Sequence, residues 1–170
     1  MDRLILLLAR GGGLGLAPKA PGTVGTLGGF PLTALLLVSG NFWIYLAGCA
    51  VLMPLSAWVC GEAERILDRK DPGEVVLDEI IAVPMCFLGV FAVMTFQGEG
   101  MPTVQDVLAM QWTWAWALAG FALFRLFDIW KPGLIDRAQS FRKGWGVTMD
   151  DILAGLLTGV ILAGVYYGLQ

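Results

Sequence analysis

The chain has 170 residues, of which 57% are hydrophobic and 15% charged, with a net charge of −3 and no histidine. Its mean hydropathy of +0.72 lies well above that of soluble domains and points to an integral membrane protein, while the acidic balance excludes a nucleic-acid partner, which would call for a basic surface. Without histidine there is no Ser-His-Asp triad, no phosphohistidine and no His-ligated metal, so chemistry is left to carboxylates, Lys, Arg and hydroxyls.

Met1 to Arg10 holds six uninterrupted apolar residues, Leu4 to Ala9, between Arg3 and Arg10. That is too short for a signal-peptide core or a span and predicts a short helix lying at the membrane interface. The stretch from Gly11 to Gly29 is glycine-rich and contains Pro18 and Pro21. Glycine lets the backbone approach a ligand and proline stiffens the loop. Backbone N–H groups with Lys19, Thr23 and Thr26 therefore form a candidate phosphate cradle at the start of the next helix. The plainer reading is a flexible loop leading into the membrane. No GxxxxGK[ST] is present, so a nucleotide P-loop is not expected.

Apolar segments follow at Val24–Ser39, Phe42–Cys60, Ile80–Phe96, Trp112–Trp130 and Ile152–Leu169. Their lengths approach what is needed to cross the hydrocarbon, and glycines and Pro31 make the first the weakest span. The expected fold is all-α, an integral membrane helical bundle of four to five spanning helices in one domain covering residues 1–170. A turn at Gly40-Asn41 would join the first two segments as a hairpin. Cys49, Cys60 and Cys86 sit in or at the end of these runs, with no CxxC, and read as packing residues. Cys60 is followed by Arg65 at plus five, one residue short of a cysteine phosphatase cradle.

Lys and Arg occur before Thr23, between Gly61 and Glu79, and between Lys131 and Asp151, where Lys131, Arg137, Arg142 and Lys143 lie. Gly40-Asn41, Gln97–Gln111 and the end of the chain have none. The positive-inside rule then places the N-terminus in the cytoplasm and, with five spans, the C-terminus outside. The glycine-rich loop and two further polar blocks all fall on the cytoplasmic side.

The first of those blocks is Asp71-Pro72-Gly73-Glu74-Val75-Val76-Leu77-Asp78-Glu79, with four carboxylates directly before an apolar run. Carboxylates beside hydrocarbon are costly to keep ionised without a cation, so the block reads as half of a Mg²⁺ site. Alternatively it is an acidic helix entrance that complements the positive end of the helix. The second begins at Arg125, which is three residues from Asp128, itself three from Lys131. On a helix the three share one face near its cytoplasmic end, either as a site or as a salt-bridge ladder with snorkelling cations. Pro132 ends that helix. Further on, Asp150-Asp151 precedes the last apolar segment, and an N-cap accounts for one Asp but not readily for two.

Together these motifs resemble the phosphatidylglycerophosphatase A family of bacterial membrane lipid phosphatases. The resemblance rests on Gly15-Leu16-Ala17-Pro18 with Pro21-Gly22-Thr23-Val24-Gly25-Thr26-Leu27, on Asp71 with Val76-Leu77-Asp78-Glu79, on Phe124 to Pro132, and on Gly144-Trp145-Gly146 with Asp150-Asp151-Ile152-Leu153-Ala154-Gly155. The four motifs occur in the family's order. Lys143 and Thr148 depart from it, standing where a glycine and a methionine are usual.

The resemblance implies Mg²⁺-dependent hydrolysis of phosphatidylglycerophosphate to phosphatidylglycerol and inorganic phosphate in phospholipid biosynthesis, at the cytoplasmic face of the bacterial inner membrane. On that basis Asp78, Glu79, Asp150 and Asp151 are expected to hold Mg²⁺, and Asp78 and Asp128 to be catalytic. Lys19, Thr23, Arg125 and Lys131 are expected to bind phosphate oxygens. Asp71 and Glu74 are weaker candidates that only shape the loop, and there is no DxDx pattern to point to an aspartyl-phosphate. The alternative function is a small membrane transporter or channel subunit with Arg125 and Asp128 in an ion path. A transferase using a cytidine nucleotide is a third class, but its spaced aspartates with DG and AR are absent.

Overall fold

Each apolar segment becomes a helix whose ends are set by local chemistry. The computed structural model describes residues 1–140 and 144–170; Phe141, Arg142 and Lys143, two of them counted above among the loop cations, lie outside the described residues. The elements are α1 (Asp2–Ala9), a 3-10 segment (Gly11–Leu16), α2 (Pro21–Leu37), α3 (Phe42–Leu67), α4 (Leu77–Phe96), α5 (Val104–Ala109), α6 (Thr113–Trp130), α7 (Leu134–Ala138) and α8 (Trp145–Gly168), with no strand among the described residues.

The predicted turn at Gly40-Asn41 is present, and the Asn41 side chain caps α3 by accepting from the N–H groups of Trp43 (2.9 Å) and Ile44 (3.2 Å). Such a cap satisfies donors that have no partner inside the helix. A capping box of Thr103 and Asp106 starts α5 in the same way. Lys131 ends α6 in the left-handed region at φ 49°, and Pro132 cannot continue the helix. The start of α8 differs from expectation. It forms at Trp145, ahead of the predicted Ile152, so Asp150 and Asp151 lie inside the helix and neither caps it.

Among the described residues three helices are long and apolar enough to cross a membrane, α3, α4 and α8, which is fewer than the four to five predicted. The reason is local. α2 has only 17 residues, and α6 carries Arg125 and Asp128 in its last two turns.

Gly155 in α8 faces Ala82 in α4, and one turn on Gly159 faces Met85 and Cys86, so the two helices advance in parallel. A Cβ at Gly155 would lie 2.7 Å from the Ala82 carbonyl oxygen, and one at Gly159 2.8 Å from that of Met85. Two small residues four apart present one flat face and let the backbones meet. α2 runs the same way, with Gly25 on Val76 and Gly29 on Val83, whereas α3 and α6 run the opposite way. Tyr45 of α3, fully buried, donates to the Pro84 carbonyl at 2.7 Å and fixes that crossing. The outer faces expose Leu35, Trp43, Val51, Trp58, Leu118, Leu126 and Val160, an apolar surface too extensive for a water-facing protein.

The short α1 packs Ile5 and Ala9 on Val59, Cys60 and Ala63 of α3, and leaves Leu4, Leu7 and Leu8 exposed. Arg10 then pairs with Glu74 at 2.5 Å, and the Val76 N–H donates to the Ala9 carbonyl at 2.9 Å. These contacts tie the glycine-rich segment to the carboxylate loop.

Candidate active site

Three helix ends meet at one end of the bundle: the starts of α2 and α4 and the finish of α6, with the second turn of α8 beside them. The sequence brings charge to each. Asp78 and Glu79 occupy the first turn of α4, where the unpaired N–H groups of the helix favour negative charge. Arg125 and Asp128 lie three apart on α6, and their side chains meet at 2.6 Å. Asp150 and Asp151 are adjacent on α8, so their side chains diverge by about 100° around the axis.

That divergence sorts the acids. Asp151 turns toward α4, and its carboxylate joins those of Asp78 and Glu79, with one oxygen from each all within 4.8 Å of one another. Asp150 turns toward α6, where its Oδ2 accepts from the Lys131 ammonium at 2.5 Å. Of the four carboxylates expected to share a cation, the geometry therefore gathers Asp78, Glu79 and Asp151 and leaves Asp150 to Lys131. Burial alone would lower the pKa of Lys131, but the hydrogen bond it donates to Asp150 and the charges of Asp150, Asp151 and Asp128 outweigh it and raise it, keeping the group cationic.

Arg125 links the two halves of the site. Its Nη1 lies 3.8 Å from Glu79 Oε1 as well as 2.6 Å from Asp128 Oδ2, yet neither Nη1 nor Nε is aligned for a hydrogen bond, and both are buried. Glu79 Oε2 is likewise buried without a partner. Orphaned groups of this kind are costly unless a ligand completes them. Among the described residues Asp78, Glu79, Asp128, Asp150 and Asp151 face only Arg125 and Lys131, and an excess of carboxylate at this burial favours further positive charge. Oxygen-only donors with a spare buried carboxylate oxygen fit a hard divalent cation such as Mg²⁺.

α2 supplies the remaining wall. A Cβ at Gly22 would collide with Glu79 Oε1 and come within 3.2 Å of Arg125 Nη1, so only glycine allows the start of α2 to lie against both. Thr23 follows at half-burial, and Lys19 is exposed just before the helix, in none of the ion pairs among the described residues. Thr26 is turned back, its hydroxyl donating to the Gly22 carbonyl at 2.9 Å. Asp71 and Glu74 stay apart from the cluster: the Asp71 N–H donates to Glu64 at 2.9 Å, and Glu74 holds Arg10.

Behind the acids lies a buried polar network that sequence reasoning missed. Ser56 Oγ is 3.2 Å from Thr148 Oγ1 and 3.6 Å from Cys60 Sγ. Thr148, one of the two departures from the family pattern, is thus a hydroxyl with a partner on α3. Gly22 was also missed as a contact residue, although its place beside Pro21 at a helix start is the signal for close approach.

A model of the Phosphatidylglycerophosphatase A family matches residues 7–166. The Phosphatidylglycerophosphatase A of Haemophilus influenzae is 34% identical over 164 residues, covering 96% of this chain and 89% of that protein. That of Escherichia coli is 32% identical over 159 residues, covering 92% and 80%. A Bacteroides thetaiotaomicron protein, provisionally named a phosphatidylinositol-3-phosphatase, is 32% identical over 164 residues, covering 94% and 92%. No solved structure matches.

Proposed function

The chain belongs to the phosphatidylglycerophosphatase A family, and from that membership we propose that it hydrolyses the terminal phosphomonoester of phosphatidylglycerophosphate, using Mg²⁺ held by Asp78, Glu79 and Asp151. The products are phosphatidylglycerol and inorganic phosphate. The observation that carries the metal and its site is the meeting of those three carboxylates, Asp78 and Asp151 buried and Glu79 partly so, within 4.8 Å, beside an arginine whose Nε and Nη1 have no hydrogen-bond partner.

Bound Mg²⁺ supplies charge to polarise the phosphoryl group and to acidify a coordinated water. The other roles belong to the chain. Arg125 binds phosphate oxygens through its planar fork, and the N–H groups at the start of α2, with Thr23 and Lys19, hold the remaining oxygens. Asp128, fixed by Arg125, orients the attacking water and takes its proton. Lys131 positions rather than binds substrate: by holding Asp150 it locks the end of α6 against α8, and it adds positive charge at the rim of the site. In-line attack by water forms a new P–O bond as the ester P–O bond breaks, and the proton taken up by Asp128 passes to the departing glycerol oxygen, releasing the lipid alcohol and inorganic phosphate.

For topology, we read α2 and α6 as further spans beside α3, α4 and α8, with the site on the cytoplasmic side where the lysines and arginines concentrate. The alternating directions of the five helices support that count. The transport reading for Arg125 and Asp128 has less support, since ionisable groups collect at one end of the helices rather than along a path across them.

The test is phosphate release from phosphatidylglycerophosphate by the purified protein in detergent, with Mg²⁺ or with EDTA, alongside Asp78→Asn. Release that needs both metal and Asp78 is expected. Release that persists in EDTA and in the variant would reject the site. Phosphatidylinositol 3-phosphate, the phosphorylated lipid in the name of the Bacteroides relative, serves as the competing substrate.

A further inference from the structure

Directly beneath the site the bundle is hollow. A cavity of about 420 Å³ lies between α2, α4 and α6, lined by Phe30, Leu37, Phe87, Met94 and Ala117 among others and closed at its far end by α5. That volume is within the range of small-molecule sites.

Its position follows from register. Gly22, Glu79 and Arg125 touch one another at the site. Phe30, Phe87 and Ala117 each lie eight residues from one of those three, further into the bundle along α2, α4 and α6, which is about 12 Å at 1.5 Å per residue. Leu37 and Met94 lie fifteen residues from Gly22 and Glu79, or about 22 Å. One leaflet of hydrocarbon is about 15 Å deep, so a lipid whose phosphate sits at Arg125 brings the distal part of its chain to this depth.

The lining says what fits. Thr33 donates to the Gly29 carbonyl at 2.9 Å, Thr113 to that of Val107, and Tyr166 to Glu99 at 2.7 Å, so the hydroxyls around the cavity are spent on the protein itself. A cavity without free polar partners does not hold water well and suits an apolar occupant. Of its lining residues, Pro31 on α2, Leu108 on α5 and Met110 beyond it are exposed and apolar, which leaves a side open for a chain to enter from the bilayer.

We propose that this cavity holds the distal half of one acyl chain of the lipid substrate, so that the enzyme grips its substrate at both the phosphate and the tail. The inference rests on the hydrolase reading above for the identity of the lipid. Two bulky replacements on opposite walls, Ala117→Trp and Ala34→Phe, test it. Each is expected to lower kcat/KM for a long-chain phosphatidylglycerophosphate about tenfold or more relative to a dihexanoyl analogue; an unchanged ratio overturns the proposal. Independently, phosphatidylglycerol with a diazirine at the end of one chain should label Phe87 or Trp116 in the wild type and lose that label in Ala117→Trp. Labelling confined to the outer residues Leu35, Leu118 and Leu126, alike in both proteins, also overturns it. If the wild type hydrolyses neither substrate, the functional reading fails, and the labelling decides the cavity on its own.

Discussion

Replacing Gly22 by alanine adds one methyl group where α2, α4 and α6 meet. The new Cβ collides with Glu79 Oε1, and the carboxylate must retreat by about 1 Å to reach ordinary contact. The fold tolerates this, because the displaced atoms end a flexible side chain. Alanine also favours a helix over glycine by up to about 1 kcal/mol, which offsets part of an overpacking cost of about 1–3 kcal/mol. A net loss near 1 kcal/mol lowers the melting temperature of a chain this size by about 2–4 °C. Catalysis is less forgiving, since a displacement of about 1 Å in a reacting group costs about a hundredfold. Phosphate release and tryptophan-detected thermal unfolding of one detergent preparation separate the two effects. Gly22→Ala with Glu79→Asp, which shortens the carboxylate arm, should recover part of the rate. A Gly22→Ala protein that unfolds normally and keeps its rate within about threefold would refute the placement of Glu79 at the reacting centre.

Asp78→Asn removes one charge from a buried acidic excess, so in EDTA the variant should melt above the wild type, while the rise in melting temperature that Mg²⁺ gives the wild type should vanish. Lys131→Met strips Asp150, only 5% exposed, of its cation; because Lys131 is itself a quarter exposed, the loss should fall below the about 3–5 kcal/mol of a fully buried pair, and Lys131→Met with Asp150→Asn should restore the melting temperature. The raised pKa of Lys131 means its stabilisation is complete below the unfolded lysine value of about 10.4 and is lost only as pH rises through the folded value. The Lys131→Met deficit should therefore be flat between about pH 6 and pH 9. Gly155→Val meets the Ala82 backbone, which cannot yield as a side chain can, and should cost about 3 kcal/mol or more, seen as a fall in melting temperature and in monodisperse yield.

All five apolar segments were readable as helices because hydrophobic runs of that length have few other ways to satisfy their backbone in hydrocarbon. The end of α6 was equally plain, since Pro132 cannot extend a helix. The start of α8 was not: Gly144-Trp145-Gly146 reads as loop, and only its seat against α3, where a Cβ on Gly144 would strike the Ala57 carbonyl, holds it helical. The motifs named the residues of the site, but their partners depended on helix rotation. Adjacent Asp150 and Asp151 look equivalent in sequence, and it is the close α4–α8 approach at Gly155 and Gly159 that turns one toward Asp78 and the other toward Lys131. The cavity under the site was not legible, because it arises from the spacing of α2 and α6 over α4 rather than from any local pattern.

The most direct measurement is titration of the purified protein with Mn²⁺, which takes the same oxygen-rich sites as Mg²⁺, followed by electron paramagnetic resonance in wild type, Asp78→Asn, Asp151→Asn and Asp150→Asn, with phosphate release from each. Tight binding and activity should disappear together in Asp78→Asn and Asp151→Asn, while Asp150→Asn keeps the metal. Loss of metal in Asp150→Asn with retention in Asp151→Asn would contradict the site.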